Sequence, residues 1–158
     1  MASLMLEIAE GEQDVEITVI PGVTAALSGG ALLGAPLSHD FCVISLSDHL
    51  TPWELIERRL RSAATGDFCM AIYNPASRIR KDYLKRAVDI LLEYIKPDRP
   101  CGVVRNIGRD DESSFACTLK ELGEIEADMF TTVFIGNSET RIIDGRLVTP
   151  RGYLKDEK

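Results

Sequence analysis

Three stretches hold the groups with which this chain could meet a ligand. They are Pro21-Gly22-Val23-Thr24-Ala25, Tyr73-Asn74-Pro75-Ala76-Ser77-Arg78 and Ile135-Gly136-Asn137-Ser138-Glu139-Thr140. Each follows an apolar, β-rich run, so each reads as a strand handing over to a loop. In α/β proteins ligands sit at such exits. Glycine and alanine leave room there, and free backbone groups can hydrogen-bond a flat, uncharged ring such as adenine. Singly, each stretch is more often just a turn; three in one chain shift the balance modestly toward a binding cleft. The second is the centre of the pattern. Phe68–Tyr73 is a buried strand that delivers Asn74–Arg78 to the N-terminus of a basic helix.

No side-chain constellation for acid–base or nucleophilic catalysis stands beside these stretches. Ser47-Asp48-His49 are neighbours in sequence and cannot by themselves form a triad. His39 and His49 are isolated and read as loop or capping residues rather than metal ligands. There is no Walker loop and no G-x-G-x-x-G to hold a nucleotide phosphate. Cys42, Cys69, Cys101 and Cys117 form no C-x-x-C pair and lie beside β-type residues, so they read as buried free thiols. Gly108–Glu112 reads as a solvated loop.

The elements that must position these stretches follow from pattern. Met1–Glu10 reads as a helix with Leu4, Leu6 and Ile8 on a partly apolar face, stopped near Gly11. Val15–Ile20 alternates β-branched and polar residues as a strand does. Thr24 caps a small-residue helix, Ala25–Leu33, whose glycines fit either tight packing or the approach of a ligand. Phe41–Leu46 is a strand. Thr51-Pro52-Trp53-Glu54 suggests a capping box opening a helix to Ala64, with Trp53, Ile56, Leu60 and Ala63 inward. Ile79–Ile95 is a helix with Ile79, Tyr83, Ala87, Ile90, Leu91 and Tyr94 on one face. Strands at Cys101–Val104, Ser114–Cys117 and Thr131–Ile135 follow, with a one-turn helix capped by Thr118 and Glu121 between the last two. Asp144-Gly145 is a hairpin turn between Arg141–Ile143 and Arg146–Thr149. The class is therefore α/β passing into a mixed sheet flanked by helices. A domain boundary is expected at residue 38, within the Pro-containing stretch 35–40.

Composition narrows the function classes. With 158 residues, 45% of them hydrophobic, the chain can bury a real core. A net charge of −7 argues against a non-specific nucleic-acid binder. No apolar run reaches the roughly 20 residues of a membrane span, and the start lacks a basic leader, so a cytoplasmic address is expected.

The motifs together resemble one family. Ile20-Pro21-Gly22-Val23-Thr24-Ala25-Ala26 followed by Gly34-Ala35-Pro36-Leu37 resembles the tetrapyrrole (corrin/porphyrin) methyltransferases. Ala71–Arg78, Thr131–Ser138 and Val148-Thr149-Pro150-Arg151-Gly152-Tyr153 narrow the likeness to the enzymes that methylate C-17 of precorrin-3-type rings in cobalamin biosynthesis. The resemblance implies an S-adenosylmethionine cofactor, a precorrin substrate, methyl transfer with ring contraction, and a homodimer. The family's G-x-G-P-G loop and its later G-D-x-G-x-Y-type loop do not occur in this sequence. Residues 1–38 are therefore expected to be the C-terminal part of an N-terminal α/β domain, and 39–158 a C-terminal mixed domain. The alternative to a self-sufficient enzyme is a non-catalytic truncated or split half that dimerises or complements a separate N-terminal chain.

By position, the resemblance places the cofactor against Thr24, Ala25, Tyr73, Asn74, Asn106, Gly108, Gly136, Asn137 and Ser138. Arg78, Arg80, Arg105 and Arg109 are candidates for substrate carboxylates. No catalytic acid or base and no metal ligand is assigned.

Overall fold

The computed structural model describes residues 2–77 and 81–153. Helix α1 (Ala2–Ile8) buries none of its side chains, and Leu4, Leu6 and Ile8 are all exposed. Residues 15–24 form no strand, contrary to the pattern of Val15–Ile20; Val15, Val19 and Ile20 lie open to solvent. Alternation favours a strand only where a neighbour completes the hydrogen bonds, and no described strand lies alongside.

From Thr24 onward local signals and structure agree closely. Helix α2 (Ala25–Leu33) starts where Thr24 Oγ1 accepts from the Leu27 N–H at 3.4 Å. Strand β1 (Gly34–Ala35) pairs in parallel with β8 (Arg146–Val148), and β8 pairs with β7 (Arg141–Ile143). Asp144 and Gly145 both have positive φ, 48° and 75°, as a two-residue hairpin turn requires.

The main sheet has five strands in the order β2-β3-β6-β4-β5. They are β2 (Phe41–Ser45), β3 (Cys69–Tyr73), β6 (Thr131–Ile135), β4 (Pro100–Arg105) and β5 (Ser113–Thr118). β2 and β3 run parallel, whereas β6 runs antiparallel to both β3 and β4. The C-terminal ends of β2, β3 and β4 thus share one edge of the sheet, and the C-terminal end of β6 lies at the other.

Side-chain alternation splits the core into two faces. On one, helices α3 (Trp53–Thr65), α4 (Tyr83–Leu91) and α5 (Leu119–Leu122) cover Ile44, Met70, Ile72, Val103, Val133 and Ile135. On the other, α2 meets Ala71, Val104, Phe134 and Leu147. The glycines of α2 serve that packing. A Cβ on Gly29 would lie 2.9 Å from Phe134 Cζ, and one on Gly102 in β4 would lie 2.5 Å from Leu33 Cδ1.

Two helix starts differ from expectation. Pro52, in an extended conformation, is itself the N-cap of α3, so the Thr51–Glu54 capping box does not form. Instead the Pro52 carbonyl accepts from Leu55 and Ile56. Helix α4 runs from Tyr83, with Asp82 as its N-cap, to Leu91, shorter than the expected Ile79–Ile95; Ile79 lies outside the described residues. Its buried face is Leu84, Ala87, Val88, Ile90 and Leu91, while Tyr94 is exposed. By contrast, the Thr118–Glu121 capping box forms in full.

Candidate functional site

At the shared edge of β2, β3 and β4 the chain leaves each strand through small polar residues. Asn74 and Asn106, directly after β3 and β4, both take the left-handed conformation, with φ of 53° and 54°. Asparagine adopts this region more readily than most residues, and the two sharp turns open the edge between them. Gly108, at φ 73°, continues the second turn. Its N–H donates to Glu112 Oε2, and Asn106 Nδ2 donates to Asp111 Oδ2 at 2.8 Å, so this loop is braced by its own carboxylates.

The N-terminus of α2 reaches the same edge. The Ala26 N–H donates to the Tyr73 hydroxyl oxygen at 2.7 Å, joining the first backbone groups of the helix to the end of β3. Thr24, Ala25, Tyr73 and Asn74 are thereby brought to one place, with Asn106 and Gly108 at the neighbouring exit. On the α4 side a cavity of about 120 Å³ is lined by Leu46, Ser47, Asn74, Ala76, Tyr83 and Met129. Tyr83 donates from its hydroxyl to Asp48 Oδ2 and packs against Trp53 with its ring tilted by 55° and the centroids 4.8 Å apart.

Gly136, Asn137 and Ser138 are not part of this group. They follow β6, whose direction carries them to the opposite edge, about 17 Å away along a five-residue strand. There the Gly136 carbonyl accepts from Arg99, and Ser138 donates to Asp67 through both N–H and hydroxyl. Thr140 and Thr149, both buried, share a 2.7 Å hydrogen bond, and Thr149 also donates to the Pro36 carbonyl. This end anchors the small sheet to the large one.

The arginines divide similarly. Arg105 donates to the Glu126 carbonyl. It alternates with Val104, which packs under α2, so its side chain lies on the sheet face opposite that helix. Arg109 lies over the Phe130 ring at 4.2 Å. Arg78 and Arg80 lie outside the described residues. Sequence reasoning passed over Ser45 and Ser47, which stand at the exit of β2 beside Asn74. The signal was there in two serines flanking Leu46 at the end of an apolar strand.

The thiols are free, as the sequence suggests, with Cys69 and Cys101 buried and Cys42 and Cys117 partly so. Burial pushes the Cys101 thiol well above its ordinary value, and burial with Glu121 nearby raises Cys117 to about 11. Neither is primed as a nucleophile.

Comparison with known proteins gives this geometry a context. The family model for tetrapyrrole (corrin/porphyrin) methylases matches residues 1–123. The chain belongs to the tetrapyrrole methylase family. Among curated relatives, the cobalt-factor III methyltransferase of Priestia megaterium is 48% identical over 98% of this chain and 30% of its own length. The precorrin-3B C(17)-methyltransferase of a Sinorhizobium species is 47% identical over 89% of this chain and 58% of its own. The crystal structure of the methyltransferase CobJ superposes with a TM-score of 0.86 at 41% identity, covering 95% of this chain and 64% of that one. This tetrapyrrole methylase chain thus spans under two thirds of the length of these relatives. No helix among the described residues is long and apolar enough to cross a membrane.

The anchoring end of this methylase fold carries a pH signature. Burial alone would raise the Asp67 carboxyl; the Ser138 hydroxyl and N–H and the Arg99 guanidinium outweigh it and hold it below its ordinary value. A depressed carboxyl contributes stability above its unfolded value, about 3.9, and that contribution is lost as pH falls through the folded value. Asp67→Asn is therefore expected to lower the melting temperature at pH 7 and to match wild type near pH 2, in a calorimetric pH series. Asparagine tolerates the φ of 53° at this position, so the backbone does not confound the comparison. With Asp67 about half exposed, solvent screening keeps the difference below about 1 kcal/mol.

Proposed function

We propose that this chain forms the cofactor-binding wall of an S-adenosylmethionine-dependent C-methyltransferase acting at C-17 of a precorrin-3-type tetrapyrrole in cobalamin biosynthesis. The observation that carries the reading is the convergence of the α2 N-terminus, Tyr73 and Asn74 at the strand exits, within a chain of the tetrapyrrole methylase family. Thr24, Ala25, Tyr73, Asn74, Asn106 and Gly108 are the cofactor residues of this reading. Gly136, Asn137 and Ser138 act as an anchor.

The residues present fit such a cofactor. Small side chains at Ala25 and Ala76 leave space, Val43 offers an apolar surface on β2, and the asparagines supply uncharged polar groups. When bound, the sulfonium supplies the electrophilic methyl group. The protein's share is to hold the donor and the ring in line and to exclude water, which accounts for much of the rate in such transfers. No strong acid or base is required of this chain. Of the candidates for the substrate's carboxylates, Arg109 stands at an exposed loop, whereas Arg105 is committed to Glu126.

A second reading is favoured by the exposed apolar residues of the first 27 positions. Leu4, Leu6, Ile8, Val15, Val19, Ile20, Val23 and Leu27 all face solvent. In this reading residues 1–38 belong to an N-terminal α/β unit completed by a separate chain. A homodimer is the simpler assembly, with the open outer edge of β2, where Phe41 and Val43 are exposed, available for pairing. Titration calorimetry with S-adenosylhomocysteine separates the readings. One-to-one micromolar binding by this chain alone supports a working cofactor wall; absence of heat, restored when an N-terminal unit of a relative is added, supports the second.

A further inference from the structure

Four free thiols lie in the large sheet, and its register brings two of them face to face. Cys101 in β4 stands directly opposite Cys117 in β5. Side chains paired across adjacent strands point to the same side, and both thiols pack into the core beneath α3, α4 and α5. Cys42 and Cys69 are also on neighbouring strands, but they are one position out of register. Cys42 is opposite Met70, on the side of those helices. Cys69 precedes Met70 and so faces the other way, with Thr149 Oγ1 at 3.4 Å from its sulfur. The sheet itself separates that second pair.

The backbone sets the spacing of the first pair. Beyond the strand ends, the Leu119 N–H donates to the Arg99 carbonyl at 2.9 Å, so these two residues form a hydrogen-bonded pair. Alternation along the ladder makes Cys101 and Cys117, two positions on, a hydrogen-bonded pair as well, with Cα atoms about 5.5 Å apart. That is a common Cα separation for a disulfide, whose Cβ atoms draw in to about 3.8 Å. β5 is an edge strand with no described partner on its outer side. It can close the remainder without straining a second ladder.

We propose that Cys101 and Cys117 are a redox pair, which a small disulfide oxidant converts into a cross-strand disulfide at the open end of the β4–β5 hairpin. Cys117 is the half-buried member and meets the oxidant first. Its thiolate attacks one sulfur of oxidised glutathione and expels a glutathione thiolate. The Cys101 thiol then loses its proton, attacks the Cys117 sulfur and expels the second. One S–S bond forms in the chain as the reagent's breaks, and the two thiol protons end on two glutathione molecules. Burial and Glu121 keep the Cys117 thiolate scarce, and burial does the same for Cys101 against the opposing charge of Arg99, so the reaction is slow near neutrality. The bond closes a loop of residues 102–116, which includes the braced turn of Asn106, Gly108 and Glu112. It forms whether or not the strand-exit edge takes a cofactor.

The test treats the whole native chain with excess oxidised glutathione at about pH 9, where roughly one Cys117 in a hundred is thiolate. Free thiols counted after denaturation should fall from four to two. The intact mass should drop by two hydrogens with no glutathione retained, and peptide mapping should find Cys101 joined to Cys117. Urea unfolding of the oxidised chain should show a folding constant higher by about a hundredfold, the effect of closing a loop of about 15 residues, and dithiothreitol should reverse it. Cys117→Ser should form no internal disulfide and gain no stability. If that variant loses its fold, Cys42→Ser carries the comparison: it leaves the pair in place and should form the same bond with the same gain. Four persisting thiols, a glutathione held on Cys117 that Cys101 does not displace, or a linkage through Cys42 or Cys69 overturns the assignment.

Discussion

Replacing Phe134 by alanine is expected to cost about 3–5 kcal/mol, a large part of the 5–15 kcal/mol by which a domain of this kind is held. Phe134 is fully buried near the C-terminal end of β6, the central strand of the large sheet. Its ring fills the space between the sheet and α2 and approaches so closely that a Cβ on Gly29 would lie 2.9 Å away. Around it on that face lie the small Ala71 and Val104, with Leu147 from the second sheet and Ile107 beside Gly29. The cavity would border Gly29, which has no side chain to fill it. Urea unfolding should show a midpoint lower by about 1–3 M for a slope of about 2 kcal/mol/M. Phe115→Ala, at an exposed position on edge strand β5, should shift it by a small fraction of that. If Phe134→Ala is too unstable to purify, Phe134→Leu should still lose about 1–2 kcal/mol. Equal midpoints for the Phe134 and Phe115 variants would refute the packing account.

That dependence on Phe134 marks where sequence reading reaches and where it stops. Signals that act within a few residues were legible. Thr24 caps α2, Thr118 and Glu121 close a box around α5, and Asp144-Gly145 turns the β7–β8 hairpin, because each is a local bond between near neighbours. Thr51 misled because Pro52 brings its own extended geometry and supplies the cap. Strand direction was not legible. Thr131–Ile135 has the same apolar pattern whichever way it runs, and only its antiparallel place between β3 and β4 carries Gly136–Ser138 away from Tyr73 and Asn74. The resemblance set all of these residues against one cofactor; the register carries Gly136–Ser138 to the other edge of the sheet. Similarly, alternation at Val15–Ile20 records a preference for a partner that no described strand supplies. The role of the α2 glycines was left open between packing and ligand approach, and the contacts of Gly29 with Phe134 and Ile107 favour packing.

Tyr73→Phe is the second substitution with a large expected effect, and it acts without changing shape. The ring keeps its contacts; only the hydroxyl is lost. In the native chain that oxygen takes the Ala26 N–H at 2.7 Å, one of the first backbone donors of α2, which have no partner within the helix. Thr24 serves a different donor, that of Leu27, so it offers no substitute. Ala26 is only 1% exposed, and an unpartnered donor there costs about 1–3 kcal/mol. The cost is concentrated at the start of α2, which forms one side of the proposed cofactor wall. Hydrogen exchange should therefore report it locally: protection of the Ala26 amide is expected to fall by about tenfold to a hundredfold, at 1.4 kcal/mol per decade, while amides in β3 and β6 follow only the global loss. Affinity for S-adenosylhomocysteine should drop by about tenfold in the same variant, because the helix end and the strand exit no longer move as one. Thr24→Ala should cost about 1 kcal/mol at the same helix end and add to the Tyr73 effect, since the two caps serve separate donors. A Tyr73→Phe chain with native protection at Ala26 would mean that the hydroxyl does not hold α2 to β3.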